Sequence, residues 1–404
     1  MMDRTIYSEI KLTPVVWLLA GVLGAFIAAA GLALLYVEHN GHIVTGMNNQ
    51  IVWGLPHVFA IFLIVAASGA LNVASIASVF GKIENKPMAR FSGLLSLALL
   101  AGGLAVLVLD LGRPDRLLLA MTKNNFKSIF AWNIYLYTGF FAIVGAYLYV
   151  QMARGMAPKV IKQVGTAAFI WRLALTTGTG SIFGWLVARP GYDAAILAPM
   201  FIVMSFSFGL AFFLLAISAV YRLSGRYIGP NLIKRLGRLL GIFAGAVLYF
   251  TAVRHLTNLY AAEHGDFERF ILFSGGFFTQ LFWIGQVLIG GVIPLFLLFH
   301  HTDGSNRKHV LIASVLIILG GMAQVYGIVI GGQAFPLEIF PAYTVNSGFF
   351  DGAVSSYSAS LPELALGLGG VALTLLIAGL GVVALRILPL NLSDRNIDPS
   401  KPDF

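Results

Sequence analysis

Ten long apolar runs divide the sequence and limit the folds that are open to it. A membrane-spanning helix needs roughly 20 mostly apolar residues, and eight of the ten runs contain no Lys, Arg or Glu. The runs are too long for β-strands, and backbone groups in lipid must form hydrogen bonds within their own segment, so the runs predict helices. The predicted spans are 15–37, 51–80, 91–110, 128–150, 164–188, 194–221, 239–261, 270–299, 310–331 and 364–385.

The composition agrees with an integral membrane protein and excludes several kinds of site. Charged residues make up 11% of the sequence, whereas soluble domains usually carry about 25%. There is no cysteine, which excludes disulfides, thiolate zinc sites and cysteine-ligated iron–sulfur clusters within the protein. The net charge of +9 does not indicate nucleic acid as a partner, because the basic residues lie in short loops between the apolar runs.

The distribution of Lys and Arg predicts the orientation of the helices. Of the 26 basic residues, 18 fall on the side that holds both termini, six fall on the other side, and Arg172 and Arg254 lie within spans. Basic residues concentrate in cytoplasmic loops, so both termini are predicted to be cytoplasmic. Four outer cations lie between the third and fourth spans: Arg113, Arg116, Lys123 and Lys127. This loop carries either scattered charge or a docking surface for a partner, whose acidic groups the cations would pair with.

Two ionisable residues lie close to the outer ends of the second and third spans. His57 follows Pro56, which fits a first helical turn. An imidazole there is either an interfacial group bonded to a carbonyl or a hydrogen-bond and proton partner for a quinone, because it titrates near neutral pH. Asp110 ends the third span, close to Arg113 and Arg116. It forms either an interfacial ion pair or the outer mouth of a proton path.

Further polar side chains lie within the fourth, fifth and seventh spans. Charged groups at this depth cost about 2.5–3.5 kcal/mol, so each needs a reason. Arg172 either snorkels to the interface or pairs with an acid, and Arg254 is either a buried counter-ion or a functional cation. The fourth span opens with Trp132, Asn133, Tyr135 and Tyr137, of which Asn133 and Tyr137 share a face that Tyr135 does not. This is either an ordinary aromatic belt or a place where a tyrosine hydrogen-bonds a quinone.

Histidine spacing does not favour a haem or metal site. Only His57 and His255 of the eight histidines lie within spans, so there is no repeated pair of the kind that holds b-type haem. The sequence therefore predicts no metal, haem or iron–sulfur cluster in this protein.

Several short motifs resemble the NrfD/PsrC family of quinone-interacting membrane subunits. Their order and spacing carry the resemblance, which runs from about 49 to 386. The motifs are Trp53-Gly54, DLGRPDR at 110–116, Ser128 with Trp132, Asn133 and Tyr135, TGTGSIFG at 177–184, Arg254 with Tyr260, Phe282-Trp283 with Pro294, and Tyr357 with Pro362-Glu363. Within the family the sequence is most similar to the DsrP subunits of dissimilatory sulfur metabolism, with the membrane subunits of hydrogenase-2-type enzymes and alternative complex III as close alternatives.

The resemblance implies an all-α integral membrane fold of two four-helix bundles with a further helix at each end. We expect one polytopic domain over 1–404, with the first bundle at about 51–150, the second at about 164–299, and flanking helices at 15–37 and 364–385. The implied location is the bacterial inner membrane.

The resemblance also implies a quinone, menaquinone or ubiquinone, bound near the outer surface of the first bundle. A periplasmic iron–sulfur subunit and other redox subunits would be the partners, and this protein would not be catalytic alone. The implied quinone-binding residues are His57, Trp132, Asn133 and Tyr135. The implied proton path contains Asp110, Arg113, Arg254 and Glu363, and the implied docking residues are Arg113, Arg116, Lys123 and Lys127.

Two positions depart from the family pattern. Gln286 stands where relatives often carry a glutamate, and Thr176 where hydrogenase-type subunits have a histidine. Both changes remove titratable groups from the second bundle, so we expect no complete proton relay through it.

Two functions of other classes fit the same pattern of spans. A secondary transporter also has about ten helices with intramembrane arginines, and it would show helices broken in matching positions of two halves. Pro199 and Pro294 fall within the sixth and eighth spans, but the first half has no matching pair. A purely structural anchor for a redox complex is the other alternative, and the polar residues near the outer ends of spans two to four argue against it.

Overall fold

Each predicted run coincides with a long helix in the computed structural model, which describes residues 5–300, 307–337 and 352–394. Within these described residues, nine helices are long and apolar enough to cross a membrane. Another, α5, has 27 residues but is less apolar, because it contains Arg172 and a Thr-Gly-rich second half. The protein is therefore an all-α, multi-pass membrane protein. The long helices are α1 (Pro14–Asn40), α2 (Leu55–Ser78), α3 (Glu84–Leu109), α4 (Ile129–Met152), α5 (Pro158–Gly184), α6 (Leu197–Leu223), α7 (Pro230–Tyr260), α8 (Phe277–Phe299), α9 (Arg307–Ala334) and α10 (Leu361–Ala384).

The starts of α7 and α8 differ from the predicted spans for clear physical reasons, and α3 and α5 also start six or seven residues before their predicted spans. Helix α7 begins at Pro230, nine residues before the predicted span, because its first nine residues include Lys234, Arg235 and Arg238, which an apolar criterion excludes. The predicted eighth span breaks at Gly276, whose φ of +54° lies in the left-handed region that favours glycine. Helix α8 starts directly after it, at Phe277.

The prolines considered as helix breaks leave both helices continuous. Pro199 lies in the first turn of α6, where a proline is tolerated. Pro294 lies where a π-helical stretch of α8, Leu281–Val292, passes into α-helix. Neither helix is interrupted as the transporter alternative would require.

The long helices pack in two closed sets of four. In the first set α2 contacts α3, α3 contacts α4, α4 contacts α5, and α5 returns to α2. In the second set α6, α7, α8 and α9 contact one another in the same cyclic order. Helix α5 thus closes the first set, and α9 closes the second, whereas the expected boundaries of 51–150 and 164–299 placed α5 in the second bundle and left α9 out. The flanking helices lie side by side, since α1 contacts α10 and α10 contacts α2 and α3.

The two sets meet along α2 and α6, where glycines allow the backbones to touch. A Cβ atom on Gly209 would overlap the backbone of Gly69 and Ala70, and one on Gly69 would overlap the carbonyl of Ser205. Small residues at helix contacts are the usual means of close packing in membranes.

Arg172 ties α5 to α2 instead of snorkelling or pairing with an acid. It is buried, and its Nη1 donates to the carbonyl of Ser68 at 3.1 Å and to Oδ1 of Asn72 at 2.7 Å. Among the described residues no carboxylate lies within ion-pair distance of it. Oxygen dipoles of the first set of helices thus bind Nη1 of the buried cation, whereas its Nε has no partner in the described part of the protein.

The first and last described segments are fastened together at one end of the helices. Strand β1 (Tyr7–Ser8) pairs antiparallel with β2 (Leu388–Pro389). Arg226, just after α6, donates to Oγ of Ser8 at 2.7 Å and to the carbonyl of Glu9 at 2.8 Å. Asp394 accepts from the first backbone amides of α7. We call this the terminal end, and the opposite end, where α2, α4 and α10 begin, the site end.

Candidate functional site

A buried glutamine holds the backbone that enters α2 at the site end. Oε1 of Gln333 in α9 accepts from the amides of Val52 and Trp53, both at 3.0 Å, while its Nε2 donates to the carbonyls of Trp53 and Val329. Arg189 donates to the carbonyls of Gln333 and Gln50. All hydrogen-bonding atoms of the Gln333 amide are thus used to fix the segment that carries Trp53 and, one turn later, His57.

His57 and Asp110, predicted separately from the sequence, lie against each other. His57 Nδ1 is 2.7 Å from Asp110 Oδ2, and the Asp110 side chain is 1% exposed, against 16% for His57. The angles are not those of a good hydrogen bond, and within the described residues no other donor reaches either oxygen of Asp110. Asp110 directly follows α3, at the negative end of the helix dipole, where an ionised carboxylate needs a compensating cation. The pair is therefore a buried acid next to a partly exposed imidazole.

Aromatic rings surround Trp53 beside this pair. Its ring stacks on His57 with centroids 6.0 Å apart and an interplanar angle of 25°. Phe130, Phe183 and Tyr192 also lie within 6.4 Å of it. Burial raises the pKa of Tyr192, so its hydroxyl stays protonated and donates to the carbonyl of Val329. The arrangement offers flat apolar surfaces and one imidazole, which suits a planar ring that carries a polar oxygen.

The predicted residues of α4 divide between two environments. Asn133 is buried and joins α4 to α5, because its Nδ2 donates to the carbonyl of Gly178 at 3.1 Å. Tyr135 is 40% exposed, stacks on Phe126, and accepts from Nδ2 of Asn124 at 2.9 Å. Trp132 is 50% exposed and lies edge-on to Tyr135. Asn133 and Tyr135 lie on different faces of α4, as predicted, but Tyr135 contacts the exposed rings of Phe126 and Trp132 and not His57.

Glu363 lies at the site end as the centre of a hydrogen-bond network. It is fully buried, and its carboxylate accepts from the amides of Gly46 and Ser360, both at 2.8 Å, and from the hydroxyl of Tyr357 at 2.6 Å. Burial raises the pKa of Tyr357, so the phenol remains a donor. With Ser360 the glutamate also forms the capping box of α10. Unlike Asp110, this carboxylate is saturated by donors and serves to fix α10 and the segment before α2.

Replacing Glu363 with glutamine is expected to destabilise the protein by about 1–3 kcal/mol, because the new amide group would face backbone donors and leave at least one of them unpaired. The measurement is the thermal unfolding midpoint of the purified protein in detergent. A variant with unchanged unfolding but reduced turnover would instead support the proton-path role implied by the resemblance.

A second polar cluster lies at the end of α7. Arg254 is buried and its Nη2 donates to the carbonyl of Gly191 at 2.8 Å. His255 and Asn258 both bond to Glu268, which is fully buried in the short helix after α7. Sequence reasoning missed Glu268, because it lies in a loop that also holds four other acidic or basic groups: Glu263, His264, Asp266 and Arg269. Its position directly before an apolar run, in GDFERF, was the available signal.

The segment Arg189–Tyr192 lies between the two polar clusters. Tyr192 contacts Trp53 on one side, while the carbonyls of Pro190 and Gly191 bond to His264 and Arg254 on the other. Gly191 is packed tightly, since a Cβ there would lie 2.6 Å from the ring of Phe267. The first and second helix sets are thus joined at the site end by one fixed loop.

The loop after α3, at the site end, presents cations on an exposed surface. Arg113 forms two hydrogen bonds of 2.9 Å with Asp115, and these lower the pKa of the Asp115 carboxyl. Arg116, Lys123 and Lys127 are exposed. Three of the four predicted docking cations are therefore available at the surface, while Arg113 has an acidic partner within the same loop.

The protein matches a family model and several known membrane subunits along most of its length. The family model described as polysulphide reductase, NrfD, matches residues 43–337. The Hdr-like menaquinol oxidoreductase integral membrane subunit of Archaeoglobus fulgidus is 28% identical over 375 residues, which cover 91% of this protein and 93% of that one. A subunit of the selenate reductase of Mesobacillus selenatarsenatis is 25% identical over 83% of this protein and 84% of its own length. The Protein NrfD homolog of Haemophilus influenzae is 23% identical over 70% and 95%.

Proposed function

Because the protein belongs to the polysulphide reductase NrfD family, we propose that it is the quinone-binding membrane subunit of a multi-subunit oxidoreductase. The observation that carries the proposal is the His57–Asp110 pair beside the ring of Trp53. The names of its relatives, which include a menaquinol oxidoreductase subunit, support the same class of reaction and favour menaquinone.

The residues around His57 fit a quinone headgroup. Nδ1 of His57 faces Asp110, which leaves Nε2 to hydrogen-bond a carbonyl oxygen. The ring of Trp53 offers a flat surface alongside. A bound quinone exchanges two electrons and two protons with its surroundings. Asp110 is placed to hold a proton for His57, because it is buried and not saturated by donors.

The residues of α4 have supporting parts in this proposal. Asn133 keeps α4 against α5 next to the aromatic cluster. The exposed rings of Trp132 and Tyr135 line the lipid-facing side of α4, where a lipid-soluble quinone would enter.

The names of the relatives are those of subunits of oxidoreductases, which supports the proposal that electrons pass to or from a partner subunit. We propose a periplasmic iron–sulfur subunit that docks at the site end on Arg116, Lys123 and Lys127. In this orientation ten helices span the bacterial inner membrane, α5 included, and the terminal end is cytoplasmic, as the positive-inside rule predicts. Dissimilatory sulfur metabolism, with a DsrP-type role, is the proposed physiological setting.

The experiment compares quinone binding in two variants. His57→Ala is expected to weaken binding of a short-chain quinone by the purified complex by about tenfold or more, since a hydrogen bond to a charged or polar partner is lost. Tyr135→Phe, whose hydroxyl bonds to Asn124, is expected to stay within about twofold of wild type. The measurement is a quinone titration monitored by intrinsic tryptophan fluorescence.

The reverse pattern would contradict this placement of the headgroup. If Tyr135→Phe weakens binding while His57→Ala does not, the quinone binds at the exposed ring cluster of α4. If neither variant changes binding, this protein does not hold the quinone at either place.

A further inference from the structure

A buried histidine–glutamate pair lies in the second set of helices, away from the His57 site. His255 Nδ1 is 2.6 Å from Glu268 Oε2, and Asn258 Nδ2 donates to the other oxygen at 2.9 Å. The side chains of His255 and Glu268 are 10% and 0% exposed. A buried ionisable group in a membrane is costly and points to a function. Since both oxygens of Glu268 and Nδ1 of His255 are used within the pair, Nε2 of His255 is the atom left for a further partner.

A small polar cavity adjoins the pair. Arg254, His255, Gln286 and Gln324 line it together with apolar side chains, and it offers about 20 Å³ of room for the centres of water molecules. A cavity of about 10–15 Å³ by this measure holds one water if two or more polar groups surround it. Nε of Arg254 is buried without a partner among the described residues. The cavity thus has the size, the polar walls and an unsatisfied donor that water requires.

Two glutamines extend this polar region deeper into the second set. The side-chain amides of Gln286 and Gln324 both donate to Oγ1 of Thr251, at 3.2 and 3.3 Å. The same two glutamines line a second cavity of about 10 Å³, which also contacts Ser207. The polar region therefore continues from His255 to α6 between α7, α8 and α9.

We propose that His255 and Glu268 form a second proton-binding site, supplied by water in the adjoining cavity and separate from the His57–Asp110 pair. A proton passes from a hydronium ion in the cavity to Nε2 of His255, which leaves water behind and an imidazolium facing the Glu268 carboxylate. No electron moves in this step. Gln286 and Gln324 orient the water and do not take up the proton themselves.

The charged groups around the pair determine the net charge of the site. Arg254 is the nearest cation on the same helix, and it is held by the carbonyl of Gly191. His264 bonds to the carbonyl of Pro190, and Tyr192 packs on the other side of that segment next to Trp53. Glu268 is the carboxylate that faces both Arg254 and His255. One acid between two basic groups allows the site to hold or release one proton without an unpaired negative charge.

The test is the pH-difference infrared spectrum of the full-length protein in detergent, recorded between about pH 5 and 8, where histidines titrate. One histidine signal is expected to be lost completely in His255→Gln and to be shifted or lost in Glu268→Gln. The matched control is Glu263→Gln, the same change at an exposed carboxyl five residues earlier, which should leave that signal unchanged.

Three results would overturn the proposal: a spectrum of His255→Gln that superimposes on that of wild type, an unshifted signal in Glu268→Gln, or an equal change in Glu263→Gln. If Glu268→Gln does not fold, the spectrum of His255→Gln still tests the proposal, because the glutamine side chain can donate a hydrogen bond to Glu268. His57→Ala should weaken quinone binding and leave this signal intact, so failure of the quinone proposal would be seen separately.

Discussion

Replacing Asp110 with asparagine is expected to lower quinone-dependent turnover of the complex by about 100-fold, the lower range for loss of a general acid or base. Asparagine keeps the shape of the side chain but cannot exchange a proton, and it removes the negative charge that lies 2.7 Å from His57. The measurement is steady-state quinol oxidation or quinone reduction by the purified complex, whichever direction the native enzyme runs.

The matched control is Asp115→Asn, five residues later in the segment that follows α3. Asp115 is exposed and pairs with Arg113 at the surface, so its loss is expected to change turnover less than about twofold. If Asp110→Asn leaves turnover within the range of this control, Asp110 does not serve the reaction, and the pair with His57 is a structural contact.

The sequence motifs predicted the family correctly, and hydrophobicity predicted the all-α membrane architecture. Apolar runs located each long helix, although α3 and α5 start six or seven residues before the predicted spans. They missed the basic first nine residues of α7 and the break before α8. The first depends on helix propensity outside the apolar zone, and the second on a single glycine torsion angle.

The site was predictable in its parts but not in its pairings. His57 and Asp110 were each identified as ionisable groups at a span end, yet 53 residues separate them, and only the packing of α2 on α3 brings them together. Helical periodicity separated Asn133 from Tyr135, but which face meets α5 depends on tertiary contacts. Gln333 fixes the entry to α2 from the far end of α9, a contact for which the sequence contains no local signal.

Glu268 was missed for the same reason, because its role depends on a tertiary contact. The sequence showed fewer titratable groups in the expected second bundle at 164–299, where Gln286 and Thr176 stand, and so predicted an incomplete proton relay there. The structure folds a loop acid back onto His255, which a span-by-span inspection does not consider. A search for polar groups inside a membrane protein must therefore include loop residues that fold back against the helices, as well as the residues of the spans.

Replacing Gly209 with alanine is expected to destabilise the protein by about 3 kcal/mol or more, the upper range for overpacking. The added methyl group would overlap the backbone of Gly69 and Ala70 in α2. Backbone atoms cannot rotate away as a side chain would, so α6 must separate from α2 and open the contact between the two helix sets. The measurement is the thermal unfolding midpoint in detergent, followed by size-exclusion chromatography.

Gly145→Ala supplies a control of opposite sign, because no atom lies within 4 Å of the added methyl group on α4. A helix-interior glycine costs roughly 0.5–1 kcal/mol relative to alanine, so this variant should be slightly more stable than wild type. Equal unfolding midpoints for the two variants would mean that the α2–α6 contact yields without cost. The two helix sets would then not be held at a fixed spacing. One set carries the site of Trp53 and His57 at the start of α2, and the other carries His255 of the His255–Glu268 pair.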